Sequence, residues 1–155
     1  MESPLPTYIG YSIEYYSNQY LVDWAAVHAK DNPFLLDNEF FIQLVSINSK
    51  LPNDVELAGK YLESFINDFW PEFDLSNTKA EGYAKRYFAK RLKQYLNEEC
   101  SPYEICKMIS PLEQIYDFPK WLGDMYDACD WVEPKHKHVD ARHLEKTVEE
   151  TLNDL

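Results

Sequence analysis

Between Asn53 and Phe69 the apolar residues Val55, Ala58, Tyr61, Leu62, Phe65, Ile66 and Phe69 recur at three- and four-residue steps. That spacing places them on one stripe of a helix about four turns long. No strand, with its two-residue period, brings such a set to one face. Asn53 reads as the cap of this helix, and Trp70-Pro71 as its stop. A second stripe runs from Asn77 to about Asn97 and carries Ala80, Tyr83, Ala84, Tyr87, Phe88, Arg91, Leu92 and Tyr95.

The same period recurs along most of the chain. Leu21, Trp24, Ala25 and His28 form a helical face after Ser17 or Asn18 as cap, and Asp31-Asn32-Pro33 stops it. Asp37 reads as the cap for Phe40, Phe41, Leu44, Val45 and Ile47. Ser101-Pro102-Tyr103-Glu104 is a helix start, with proline where its missing N–H costs nothing and Glu104 placed to complete a capping box. Pro111 kinks or ends that helix. Another helical pattern follows Phe118-Pro119, through Trp121, Leu122, Met125, Tyr126 and Cys129. Residues 1–16, with two prolines and four tyrosines, read as an irregular lead-in, and 133–138 as a polar loop before a C-terminal helix through Leu144, Val148 and Leu152. The expectation is an all-α, single-domain bundle of about six or seven helices, arranged like αα-hairpins, over 1–155. Only 4 glycines in 155 residues argue against the many tight turns of an all-β domain.

Charge narrows the partner. The formal net charge is −12. A chain that grips nucleic acid needs a basic footprint, and an anionic membrane surface repels acid, so both are disfavoured. No stretch approaches the roughly 20 apolar residues of a membrane span, and the N-terminus lacks the pattern of a signal peptide. The expected compartment is the cytoplasm. The acid is unevenly spread. Residues 31–76 carry a net −7, residues 77–100 a net +3, and residues 110–133 a net −5. Lys79, Lys85, Arg86, Lys90, Arg91 and Lys93 share the helix of 77–97 with aromatics. That combination can bind single-stranded nucleic acid, but ion pairing with neighbouring acidic helices is the favoured expectation.

No motif for chemistry stands out. GxSxG, HExxH, the P-loop and GxGxxG are all absent. His136, His138 and His143 with Asp140 have the composition of a metal cluster but lie in a lysine-bearing loop, and no metal or cofactor is assigned. His28 reads as a core histidine. Cys100, Cys106 and Cys129 match no zinc or CxxC spacing and read as idle thiols of a reducing compartment. The expectation is a protein that is not an enzyme.

The stretch Asp117 to Glu133 is the most informative. Asp124, Asp127 and Asp130 recur every three residues with Trp131 adjoining. On a helix these carboxylates are neighbours, and their repulsion costs a little stability. Carboxylates beside aromatics suit a hot spot for a basic protein; basic nucleases are a common class of such partners. Asp117, Asp124, Asp127, Asp130, Trp131 and Glu133 are therefore the expected partner-binding residues.

Across 101–134, Glu104, Cys106, Pro111, Glu113, Asp117-Phe118-Pro119, Trp121-Leu122 and Cys129-Asp130-Trp131 together resemble the C-terminal part of small acidic helical immunity proteins of contact-dependent growth inhibition and related polymorphic toxin systems. The resemblance implies tight one-to-one binding of a cognate toxin domain, often a nuclease, and no catalysis. It carries over no individual residue. The rival expectation is a helical adaptor that recognises another protein through an apolar groove.

Overall fold

The computed structural model describes residues 3–130 and 141–155, with the backbone alone at 141–142. Among the described residues it is all-helical: ten α-helices and two 3-10 helices, with no strand. Seven of the α-helices are seven residues or longer, and the other three are single turns of four or five. The helices gather into two compact units, Met1–Ser12 with Tyr16–Asp74, and Ile13–Tyr15 with Leu75–Leu155.

The first unit holds α1 (Pro4–Ser12), α2 (Asn18–Asp31), α3 (Glu39–Val45), α4 (Pro52–Val55) and α5 (Ala58–Phe69). Residues 4–12 are thus helical, where an irregular lead-in was expected. Pro4 and Pro6 sit in the first turn, whose amides need no intrahelical partner. The first helical bond comes at the next residue, from the Thr7 amide to the Ser3 carbonyl at 3.2 Å. Ser17 caps α2 by accepting from the Tyr20 amide at 3.1 Å. A 3-10 helix, Pro33–Asp37, leads to α3. Its cap is Asn38, one residue beyond the expected Asp37, and it accepts from Phe40 and Phe41.

The long stripe from Asn53 is two helices, α4 and α5, and Asn53 lies inside the first rather than capping it. The break is anchored from outside: Asn18 Oδ1 accepts from the Gly59 amide at 2.9 Å, a bond across 41 residues. The apolar period survives the break. Leu62, Phe65 and Ile66 of α5 are fully buried with Phe41, Leu44 and Leu21. Phe41 lies 5.1 Å from Phe65 and edge-on to Trp24 at 6.2 Å, and each such ring pair adds about 0.5–1.5 kcal/mol beyond area burial. His28 stacks on Trp24 at 4.8 Å inside this core.

The second unit is built on α6 (Thr78–Leu96), capped by Asn77, whose Oδ1 accepts from the Ala80 amide at 2.7 Å. Around it lie α7 (Pro102–Cys106), α8 (Ile109–Tyr116), a 3-10 helix (Lys120–Leu122), α9 (Met125–Cys129) and α10 (Ala141–Asp154). Glu104 reaches back to the Ser101 amide at 2.6 Å, as a capping box requires. The helix that starts at Ser101 ends at Cys106, ahead of Pro111, which sits instead in the first turn of α8. Phe88, Leu92, Ile105, Met108, Leu112, Met125, Leu144 and Val148 are buried in this unit. Arg91 is buried too, donating to the Tyr15 carbonyl at 2.8 Å and lying over the Tyr15 ring at 4.7 Å.

Two chemical expectations change. Cys106 and Cys129 form a disulfide between α7 and α9, with Cα atoms 5.4 Å apart, where idle thiols were expected. Cys100 alone is free, with its thiol raised by burial and by the charge of Glu104. The basic residues of α6 lean on aromatic rings more than on carboxylates. Arg86 lies over Tyr83, Lys90 over Tyr87 and Lys85 over Trp121, while Arg91 is the α6 cation paired with an acid, Glu104 at 3.7 Å, among the described residues. Tyr83 and Tyr87 each lie three residues before the cation that covers them, which makes the two side chains neighbours on the helix surface.

Candidate protein-binding surface

The segment from Asp117 to Asp130 is a series of short turns rather than one helix. Asp117 ends α8 in the left-handed conformation at φ +53, and Phe118 follows at φ +51. The Phe118 amide donates to the Glu113 carbonyl at 3.1 Å, the six-to-one bond of a Schellman-type helix end. Glycine normally occupies such a position, and a bulky residue at positive φ is uncommon. Gly123, at φ +55 and ψ −133, then breaks the chain again between the 3-10 helix and α9. That conformation is open essentially to glycine alone. Trp121 anchors the segment to α6, donating from Nε1 to Glu81 at 2.9 Å and packing 5.9 Å from Phe88.

Asp124, Asp127 and Asp130 therefore decorate a single turn. Asp124 precedes α9, Asp127 lies within it and Asp130 follows it. All three are exposed, as is Asp117, and among the described residues none of the four forms a side-chain ion pair. Trp131 and Glu133 lie outside the described residues, as do His136, His138 and Asp140. Among the described residues no group of three or more ligating side chains could hold a metal.

Two clefts lie along this segment. One, of 350 Å³, is lined by Asp124 and Asp127 together with His143, Lys146, Thr147 and Glu150 of α10. Its charge is mixed, and Lys146 is shared with Glu150 at 4.0 Å. The other, of 300 Å³, is lined by Glu113, Phe118, Pro119, Leu122, Gly123 and Tyr126. Phe118 is 71% exposed and Tyr126 53%. Burial raises the Glu113 carboxyl above the usual carboxylate range. Sequence reasoning singled out the acidic residues of this region and missed Glu113, Phe118 and Tyr126. The left-handed pair that turns Phe118 outward leaves no glycine or asparagine in the sequence to mark it.

The first unit has an apolar groove of its own. It measures 370 Å³ and is lined by Leu5 of α1 and by Phe69, Trp70, Pro71, Glu72 and Phe73 at the end of α5. Phe69 is about half exposed there.

Comparison with family models, with curated proteins and with solved structures yields no significant match to this chain. No helix among the described residues is long and apolar enough to cross a membrane.

Proposed function

We propose that this chain is a non-enzymatic binding protein that neutralises a basic partner, a toxin domain with nuclease activity being the first choice, through the acidic and aromatic surface of its second unit. The observation that carries the reading is the exposure of Asp117, Asp124, Asp127 and Asp130 beside Phe118 and Tyr126, with no ion pair to the four carboxylates among the described residues. Clustered carboxylates raise the local negative potential and steer a basic protein into encounter. Exposed aromatics supply the apolar area that holds a complex once formed. A carboxylate-rich surface also competes directly for residues with which a nuclease holds phosphates. The resemblance across 101–134 to immunity proteins points the same way.

The test is affinity capture with the full chain, identification of the partner and measurement of its affinity at two salt concentrations. The reading expects a basic partner whose binding weakens steeply with salt, and at least tenfold further when Asp124, Asp127 and Asp130 are all changed to Asn. Recovery of no basic partner, or an affinity indifferent to that triple change, removes it.

The reading places the protein in the cytoplasm, where Cys106 and Cys129 would stand as two thiols, since cytosolic glutathione and thioredoxin keep such pairs reduced. Trapping free thiols during cell lysis decides between that state and the disulfide.

A second reading is favoured by the apolar groove at Leu5, Phe69 and Trp70. An adaptor that docks a partner there would bind with little dependence on salt, because apolar contact is not screened. The same two-salt measurement separates the two.

A further inference from the structure

We propose that the cleft between Phe118 and Tyr126 is an arginine socket, the pocket into which a basic partner inserts one guanidinium. The inference deepens the reading above by naming the group that is gripped. Three features of the cleft match that side chain. Glu113 supplies a carboxylate in its wall, and among the described residues no ion pair occupies it. A guanidinium meets a carboxylate with two parallel hydrogen bonds, which a lysine ammonium cannot do. Phe118 and Tyr126 offer exposed ring faces at the rim, and arginine stacks on such faces while an ammonium keeps its water. Leu122 and Pro119 complete an apolar lining against which the methylene stem lies.

Charge complementarity decides the sign of the occupant. No basic side chain lines the cleft among the described residues. Residues 110–130 carry five acidic residues and only Lys120 as a base. An anionic group would enter against that field, and a neutral one would leave Glu113 half-buried without a counter-charge. The backbone supports the assignment. Two successive left-handed residues hold Phe118 out in solvent, a placement that burial of its own ring within the chain would not require.

The socket can be tested without knowing the partner. The probe is the peptide Gly-Gly-Arg-Gly-Gly, with its lysine and citrulline counterparts, titrated into the full-length chain while backbone amide shifts are followed by NMR. The expected result is saturable shifts centred on Phe118, Gly123 and Tyr126 with the arginine peptide. Glu113→Gln and Phe118→Ala should each weaken it at least fivefold, and citrulline, the uncharged isostere, should lose most of the binding. The fold of each variant is checked from unshifted amides of the second unit away from the cleft, those of α6 among them. Absence of saturable shifts at these residues overturns the socket. So does lysine binding as tightly as arginine, or Glu113→Gln binding undiminished. Failure here is separable from failure of the broader reading. A chain that captures a basic partner but ignores the arginine peptide keeps the function and loses the socket. A chain that binds the peptide but captures no basic partner keeps the socket and loses the function.

Discussion

The Cys106–Cys129 bond closes a loop of 23 residues that runs through α8, the exposed Phe118 turn and α9. Opening it frees that loop in the unfolded chain. By the loop-entropy relation a closed loop of this length is worth about 3.4 kcal/mol at 25 °C. For a chain of this size, each kcal/mol moves the melting temperature by about 2–4 °C, so reduction should lower it by on the order of 10 °C. The measurement is thermal unfolding followed by near-ultraviolet circular dichroism, with and without reductant, in a Cys100→Ala background that prevents thiol exchange. A thiol titration in denaturant accompanies it. It should find no free thiol in that variant before reduction and two afterwards, while the parent chain shows one before, from Cys100. Two free thiols before reduction in the variant would show that the bond does not form. A bond that is present, yet whose reduction leaves the melting temperature unchanged, would refute the entropic argument itself. It would mean that α7 and α9, which bury Ile105, Met125 and Ala128, hold each other as firmly without the bond.

Burial against Trp24 lowers the pKa of His28, with Asp31 opposing, so the folded state prefers the neutral ring. Below about pH 6.5 the unfolded chain takes up a proton that the folded one resists. The urea midpoint should therefore fall between pH 7.5 and 5.5, and fall less in His28→Gln; equal slopes would contradict the assignment. A Cβ at Gly59 would collide with the Tyr11 ring, so Gly59→Ala should cost about 1–3 kcal/mol through overpacking, more than the ~1 kcal/mol alanine gains in helix propensity. Gly82, within α6, has nothing within 4 Å of an added Cβ, and Gly82→Ala should instead stabilise by about 0.5–1 kcal/mol in the same denaturant titration. Asp117→Gly relieves a left-handed residue and should raise stability by about 1 kcal/mol; a loss would mean that the Asp117 side chain has a structural role.

Much of the architecture is legible wherever the signal is local. Asn77 to Asn97 delimits α6 because cap and apolar stripe both lie within that stretch, and Ser101-Pro102-Glu104 starts α7 for the same reason. Legibility fails where distant residues decide. The break between α4 and α5 is fixed by Asn18, 41 residues from Gly59, and no window around Asn53 contains that bond. The N-terminal prolines mislead because proline breaks a helix interior but not its first turn, and only the fold shows where Pro4 and Pro6 stand. Among the site residues, Asp117, Asp124, Asp127 and Asp130 are exposed as composition suggests. Glu113 and Tyr126 reach one cleft with Phe118 through two left-handed residues that nothing in the sequence announces.

The division of this surface into free carboxylates and an aromatic-walled cleft implies a division of kinetic labour. Asp124, Asp127 and Asp130 are exposed and act at a distance, within a Debye length of about 10 Å at 0.1 M salt. Their influence belongs to the encounter, before side chains touch. Glu113 is sheltered in a cleft wall, and Phe118 and Tyr126 act only on contact. Their influence belongs to the lifetime of the complex. Arg86, Lys90 and Lys85 of α6 rest on Tyr83, Tyr87 and Trp121, and among the described residues no α6 cation forms an ion pair with the acidic turn. Against a basic partner, the triple Asp→Asn change should slow association and flatten its salt dependence while leaving dissociation nearly constant. Phe118→Ala and Glu113→Gln should do the reverse, shortening the complex lifetime at an almost unchanged association rate. Surface plasmon resonance at 50 and 300 mM salt reads both rates. Loss of association rate in the Phe118→Ala variant, or faster dissociation in the Asn variant, would show that the acidic turn and the cleft act as one contact and not as two.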